Sequence, residues 1–405
     1  MSGNSYVKPN LLIYRAAQFV SGCVSTLVFH RKMLRNEIKH IKGPFVVIAN
    51  HQCAYDFVNL IGATDRPMSF VLSNSFYHSL PIQGILDRLG VIPKQQFQTS
   101  IREMRKIRSV IEHGQPLVIY PAGLMCEDGL STPIPPATYK FLKWLGVDVY
   151  VARTSGAYFA MPKWTKGFRP GRTYMDIYKL FSKEELGEMS LSEVREKTED
   201  ALLFDAYREQ ETLRIKYVRN NELAGLENVL YMCPNCESEF TMQVKGRHTL
   251  YCTCCGYEQR SDSYAFLHND KGIGREIRYV SDWSRLIFKR MKERLQKDRG
   301  YLLKSDTKIH MLDYQKHKFV EVGSGTLTLS AEDVTLQGKV NGQPLTLHIP
   351  SIQFPTLPFG PGKYLELQHG DEIYRCVLKD GRQVMKFIHM IKASFELRQQ
   401  DTVPV

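Results

Sequence analysis

Phe45-Val46-Val47-Ile48-Ala49-Asn50-His51-Gln52-Cys53-Ala54-Tyr55-Asp56 sets an apolar run of strand length directly against an Asn-His pair, with an aspartate five residues after the histidine. Five residues of α-helix turn about 500°, so His51 and Asp56 on one helix would sit about 140° apart and could not meet. They can meet if His51 lies on the loop leaving the strand and Asp56 on the first turn of the next helix. Asp56 then accepts a hydrogen bond from one ring nitrogen and fixes the tautomer. The other nitrogen is left to take a proton from an alcohol.

Working outward, Pro67–Leu72 (PMSFVL) reads as a second strand. Ser100 precedes a helix with Ile101, Met104, Ile107 and Ile111 on one face, and Gly114 stops it. Pro116–Tyr120 (PLVIY) is a further short strand. Helix from about Ala137 to Leu145 leads into the apolar run at 147–152, and a charged, Leu-rich helical stretch follows over 181–215. Strands alternating with helices predict an α/β domain built on a largely parallel sheet.

The residues after these strands carry a resemblance. Asn50-His51 with Asp56 resembles the first motif of the glycerolipid (lysophospholipid) acyltransferases. Leu89-Gly90-Val91-Ile92-Pro93-Lys94 resembles the second. Tyr120-Pro121-Ala122-Gly123-Leu124-Met125-Cys126-Glu127-Asp128-Gly129 looks like the third, an FPEGTRS-type motif, and Val149–Ala152 with Gly156, Ala157 and Tyr158 resembles the fourth. The likeness spans roughly residues 40–210 in the family's motif order. It implies His51 as general base, Asp56 as its partner, and Asn50, Lys94, Gly123 and Arg153 as substrate-binding residues, with Lys94 and Arg153 as anion holders. It also implies an acyl-CoA or acyl-carrier-protein donor, a lysolipid acceptor, a place in phospholipid biosynthesis, and no metal in the chemistry. The third motif departs from the pattern: Ala122 stands for the family's Glu, Met125 for its Arg and Cys126 for its Ser. Glu127 is the nearby acid that a shifted loop would bring in. These departures motivate a second reading, a lipid-binding or scaffold protein that kept the fold and lost turnover.

Cys233-Pro-Asn-Cys236 and Cys252-Thr-Cys-Cys255 are separated by fifteen residues, the C-x2-C-x15-C-x2-C spacing of a closed four-thiolate zinc site. Zinc there is structural, Cys254 is a spectator thiol and His248 is exposed. The surrounding segment carries little basic–aromatic interleaving, so a nucleic-acid partner is not expected.

The net charge is +12 and unevenly placed: residues 1–49 hold seven Lys/Arg against Glu37 alone. Such a field attracts anionic surfaces. Within 11–29, Leu12, Ala16, Phe19, Val20, Cys23, Val24 and Leu27 recur helically, while Arg15, Gln18, Ser21, Gly22 and Ser25 form a narrow polar stripe. This amphipathic helix is expected to lie on a phospholipid surface, followed by Arg31, Lys32 and Arg35 at headgroup level. Val20-Ser21-Gly22-Cys23 resembles a lipoprotein box, but Arg15 leaves too short an apolar region before it. The expected location is cytoplasmic, peripheral on the inner face of the cell membrane.

Trp283, Leu286, Ile287, Met291 and Leu295 predict a helix over 281–299 capped by Ser281. From 302 the period falls to two, with runs at 309–312, 319–322, 326–330, 334–338, 345–349, 364–368 and 373–378 and an Asn341-Gly342 turn. An amphipathic helix carrying Val384, Phe387, Ile388, Ile391 and Phe395 ends the chain. That element order resembles the pleckstrin-homology/GRAM superfold. The expected organisation is a membrane-associating helix over 1–40, an acyltransferase domain over 41–225, a zinc ribbon over 228–270, a basic linker helix over 275–300, and a PH-like all-β domain over 301–400 closed by one helix.

Overall fold

The computed structural model describes residues 8–96, 100–165, 167–217, 223–350 and 355–401. The chain divides into two compact units, one of residues 1–162 and 168–219, the other of 163–167 and 220–405. Residues 1–7 of the expected N-terminal segment lie outside the described residues.

The first unit runs α1 (Leu11–Leu27), β1 (Lys32–Asn36), β2 (Phe45–Ala49), α2 (Asp56–Ile61), β3 (Ser69–Ser73), α3 (Asn74–His78), α4 (Gln83–Arg88), β4 (Ile92–Lys94), α5 (Ile101–Glu112), β5 (Leu117–Ile119), α6 (Ala137–Leu145), β6 (Asp148–Ser155), α7 (Ala157–Ala160), β7 (Tyr174–Phe181), α8 (Lys183–Glu188), α9 (Leu191–Leu202) and α10 (Ala206–Leu213). Its sheet has the order β1-β7-β6-β2-β5-β3-β4. Strands β2 to β6 are parallel where they pair, and β7 is antiparallel to β6. All five residues of β2 are buried, because helices cover both faces of the sheet. Alternation sorts them: Val46 and Ile48 join Ile107 of α5 and Leu142 of α6 in one core, while Phe45 and Val47 join Tyr14 of α1 and Leu60 of α2 in the other. Capping boxes at Ser182/Glu185 and Ser190/Glu193 start α8 and α9 where the sequence turns abruptly polar.

The boundary expected near residue 40 does not set α1 apart, because β1 is a strand of this sheet. Arg31 and Arg35 have partners within the unit. Arg31 is half-buried and donates to the Asn59 carbonyl, and Arg35 forms a fork on Asp176 at 2.9 Å.

Helix α1 docks by its polar stripe. Gln18 donates to the Thr64 carbonyl at 3.0 Å, Ser25 to Val58 at 3.2 Å and Arg15 to Asp65 at 2.7 Å. Tyr14, buried beside them, has its hydroxyl pKa pushed up to about 12 by desolvation. The apolar stripe faces outward, with Leu12 81%, Phe19 74% and Leu27 72% exposed. No helix among the described residues is long and apolar enough to cross a membrane.

In the second unit, β8 (Met242–Lys245), β9 (Thr249–Cys252), β10 (Glu258–Ser261) and β11 (Leu267–His268) form a small antiparallel sheet. Helix α11 (Val280–Lys297) follows, then β12 (Leu303–Asp313), β13 (Lys318–Leu329), β14 (Asp333–Val340), β15 (Gln343–Pro350), β16 (Phe359–Gly360), β17 (Tyr364–His369), β18 (Glu372–Leu378) and α12 (Gln383–Asp401). Strand order β15-β14-β13-β12-β18-β17-β16 is antiparallel throughout. The two runs expected at 319–322 and 326–330 are one strand, β13, that continues through Gly323 and Gly325. A Cβ on Gly323 would sit 1.8 Å from the Lys339 carbonyl and one on Gly325 2.3 Å from that of Gln337, so only glycine lets β13 and β14 close there. Ser281 does not cap α11; it is buried in the first turn, and Tyr279 holds the cap position.

Helix α11 ties this unit together. Trp283 is fully buried and donates from Nε1 to the Met232 carbonyl at 2.9 Å. Arg290 and Arg294 pair with Glu237 and Glu239 of the cysteine-bearing segment, and Lys292 pairs with Glu396 of α12. Residues 384–391 of α12 are all buried, including Lys386 on Glu239, so this helix is covered all round rather than along one stripe.

Candidate active site and metal centre

Strands β2 and β5 pair in parallel, Ile48 opposite Ile119, so the loops leaving them emerge side by side at their carboxyl ends. One carries His51, the other Tyr120 to Gly123. His51 Nδ1 lies 2.9 Å from Asp56 Oδ2. Asp56 is almost fully buried in the first turn of α2, and the same oxygen accepts the backbone N–H groups of Gln52 at 2.6 Å and Cys53 at 2.9 Å. Cys53 Sγ donates to its other oxygen at 3.4 Å. A carboxylate oxygen collecting N–H donors is the acceptor, so His51 Nδ1 carries the proton and Nε2 presents a lone pair. The Tyr120 ring packs on the imidazole at 4.5 Å between centroids. Its buried hydroxyl has its pKa pushed well up, by desolvation first and then by the Asp56 charge.

A cleft opens at His51, walled by Ala49, Pro121, Ala122, Leu124, Ile134 and Leu202–Phe204, with Ser131 and Thr132 as its hydroxyls. No cation lines it. Gly123 holds the turn beside it at φ +69°, left-handed backbone that favours glycine, and its N–H donates to the Tyr120 carbonyl at 2.9 Å.

Several residues expected to contact substrate are otherwise engaged. The Asn50 amide donates to the Thr154 carbonyl and accepts from the Thr154 N–H, both at 2.8 Å, which clamps the end of β2 to β6. Arg153 pairs with Glu209 at 2.6 Å and donates to the Ala201 carbonyl at 2.9 Å, binding α9 and α10 to the sheet. Its charge is thus spent on the fold and does not line the cleft. Lys94 lies at the sheet edge, donates to the Gln95 carbonyl at 2.8 Å, and has its pKa lowered by burial. Glu127 is buried away from the cleft wall, with its carbonyl toward the Tyr158 hydroxyl, and does not stand in for the acid missing at Ala122.

Gln52, Cys53 and Tyr120 have no role that the sequence alone assigns. Gln52 accepts from the Tyr158 N–H at 3.1 Å and so anchors the His51 loop to α7. Only their position inside the motifs marks them.

Residues 28–148 match the Acyltransferase family model. The chain is also similar to the crystal structure of the 1-acyl-sn-glycerophosphate (LPA) acyltransferase PlsC from Thermotoga maritima. That likeness has 19% identity and a TM-score of 0.42, and covers 49% of this chain and 79% of that one. The Ran-binding domain of Nup2 from Ashbya gossypii is similar at 14% identity and a TM-score of 0.20, over 24% of this chain and 99% of that one. No curated protein matches the chain. The matched residues lie in the α/β unit with the largely parallel sheet.

Apart from that domain, the Sγ atoms of Cys233, Cys236, Cys252 and Cys255 all lie within 4.8 Å of one another. Cys233–Cys255 is 3.7 Å and Cys236–Cys252 is 3.8 Å. Four thiolates about 2.3 Å from a central zinc stand roughly 3.8 Å apart along a tetrahedron's edges, so the residues fit that ion. Asn235 donates to Cys255 at 3.5 Å and Thr241 lies 3.3 Å from Cys252, polar neighbours suited to thiolates. Cys254 points outward, near Ser238, and His248 is exposed.

Proposed function

We propose that the chain transfers a fatty acyl group from a thioester donor, acyl-CoA or acyl-carrier protein, to the hydroxyl of a lysolipid or related glycerolipid, with His51 as general base. The observation that carries this is the 2.9 Å contact of His51 Nδ1 with Asp56 while Nε2 has no partner among the described residues. Nε2 takes the proton of the acceptor hydroxyl as its oxygen attacks the thioester carbonyl. The tetrahedral intermediate expels the thiolate, which takes that proton back from the imidazolium. Thiol release from palmitoyl-CoA, assayed against a panel of lysolipids and monoacylglycerol, tests the reading. No release above the donor-only rate with any acceptor would favour the second reading, a lipid-binding scaffold, for which Ala122 on the cleft wall is the supporting observation.

The cleft also bears on the acceptor. A charge-assisted contact to phosphate is worth about 1.5–3 kcal/mol, or roughly 10- to 150-fold in affinity. With Arg153 paired and Met125 in place of arginine, lysophosphatidic acid is expected to react more slowly than monoacylglycerol. Met125→Arg should narrow the gap. Side-by-side rates check this, and faster transfer to lysophosphatidic acid by the wild-type protein would refute it.

The outward apolar stripe of α1 supports a peripheral seat on the cytoplasmic membrane face. Each large side chain leaving water gains about 1.5–3 kcal/mol. Leu12→Asp with Phe19→Asp is therefore expected to weaken liposome binding by about 100-fold or more, while transfer to micellar acceptor continues. Undiminished sedimentation with liposomes would place the membrane contact elsewhere. Zinc, in this reading, is structural.

A further inference from the structure

The α5 sequence Ile101-Arg102-Glu103-Met104-Arg105-Lys106-Ile107-Arg108 places Arg102, Arg105 and Lys106 at i, i+3 and i+4, neighbours on one helix face. None of the three has an ion-pair partner among the described residues. The helix's two acids are turned elsewhere: Glu103 accepts the Gln95 N–H at 2.8 Å, and Glu112 pairs with Arg108. Like charges at this spacing repel. Ile101, at the head of the same helix, is 72% exposed. At the other end Arg108 lies over the Trp144 ring of α6, 5.2 Å from its centroid, and Trp144 itself is 45% exposed. Outward arginines beside an outward tryptophan and isoleucine are the side chains that anchor protein–protein contacts.

Two further facts say which anionic partner fits. Helices α5 and α6 pack on the face of the sheet carrying Val46 and Ile48, whereas α1, with its lipid-facing stripe, packs on the face carrying Phe45 and Val47. The basic surface is therefore on the layer opposite α1, turned to the aqueous side of a membrane-seated molecule. It is also a convex helix face, not a cleft for a small nucleotide. Two hydrogen bonds connect it to the chemistry. Gln95 is bonded to α5 through Glu103, and the next residue, Gln96, donates to the Gly123 carbonyl in the turn that walls the His51 cleft.

We propose that the outer surface of α5 and α6 docks the acyl donor as an acidic, soluble carrier protein whose flexible thioester arm enters the cleft. The inference rests on the acyl-transfer reading for its purpose, but the docking is measurable without turnover. Binding of the host's acyl-carrier protein, in apo and palmitoyl forms, to the full-length chain would be measured calorimetrically at low and high salt. Arg102→Glu, Arg105→Glu and Lys106→Glu together should weaken binding of both forms by about tenfold or more and remove most of its salt dependence. Trp144→Ala should weaken it without changing charge. Transfer from palmitoyl-carrier protein should fall in step, with transfer from palmitoyl-CoA unchanged. A wild-type chain that does not bind the carrier, or a triple variant that binds it as well, overturns the proposal. Equal loss with both donors overturns it too, as does loss of anionic-vesicle binding with carrier affinity retained. Carrier binding that responds to the variants, with no turnover from either donor, leaves the docking standing and refutes the acyl-transfer reading.

Discussion

Replacing His51 with alanine is expected to slow acyl transfer by about 10²–10⁴-fold, the usual worth of a positioned general base, and to leave the melting temperature close to wild type. The asymmetry follows from the two partners' surroundings. His51 lines the cleft and, among the described residues, its side chain hydrogen-bonds to Asp56 alone. Asp56 is almost fully buried and accepts from His51, two backbone N–H groups and a thiol. Asp56→Asn should therefore lose activity, because a neutral amide no longer stabilises the imidazolium, and also lose stability, because the charge that strengthens these hydrogen bonds is gone. Steady-state rates and thermal melts on both variants separate the effects. Near-wild-type turnover in His51→Ala would exclude the mechanism.

Removing zinc is expected to unfold the small cysteine-bearing sheet. Structural zinc contributes apparent binding energies of about 10–16 kcal/mol in small domains, far more than four strands of two to four residues could supply by packing. One zinc per chain should be found by metal analysis, lost in Cys252→Ser and retained in Cys254→Ser. Unfolding should reach further than this sheet, since Glu237 and Glu239 hold α11 and Glu239 also holds Lys386 of α12. Loss of zinc in Cys254→Ser but not in Cys255→Ser would mean the second knuckle is misassigned.

Some of this was legible in the chain. The run Phe45–Ala49 is apolar without alternation, as a strand buried on both faces must be, and the His51/Asp56 spacing has only one geometry in which it closes. Cysteine spacing is equally restrictive. Two strands with no plain apolar run, β1 and β7, are partly polar: Lys32-Met-Leu-Arg-Asn is the edge strand of the sheet, and Tyr174-Met-Asp-Ile-Tyr-Lys-Leu-Phe, the strand next to it, is only half-buried at alternate residues. The partners of Asn50 and Arg153 are not legible, because composition gives a charge or an amide but not what it binds. Thr154 and Glu209 lie 104 and 56 residues away from them in sequence. α1 shows the same limit: its amphipathic pattern was plain, but nothing in it said that the polar stripe, not the apolar one, packs on the domain.

The surroundings of α12 have a consequence for synthesis on the ribosome. Tyr231 packs on His389 with ring centroids 5.7 Å apart, and the Arg382 guanidinium donates to the Phe240 carbonyl at 2.8 Å. Both partners come from residues 382–389, long after Cys255 has been made. At about 5–20 residues per second that interval lasts on the order of ten seconds. Through that time the four cysteines can close on a metal while the surface that α12 will cover is still bare. An early-bound ion would hold the segment in its native form until the last helix arrives to complete it.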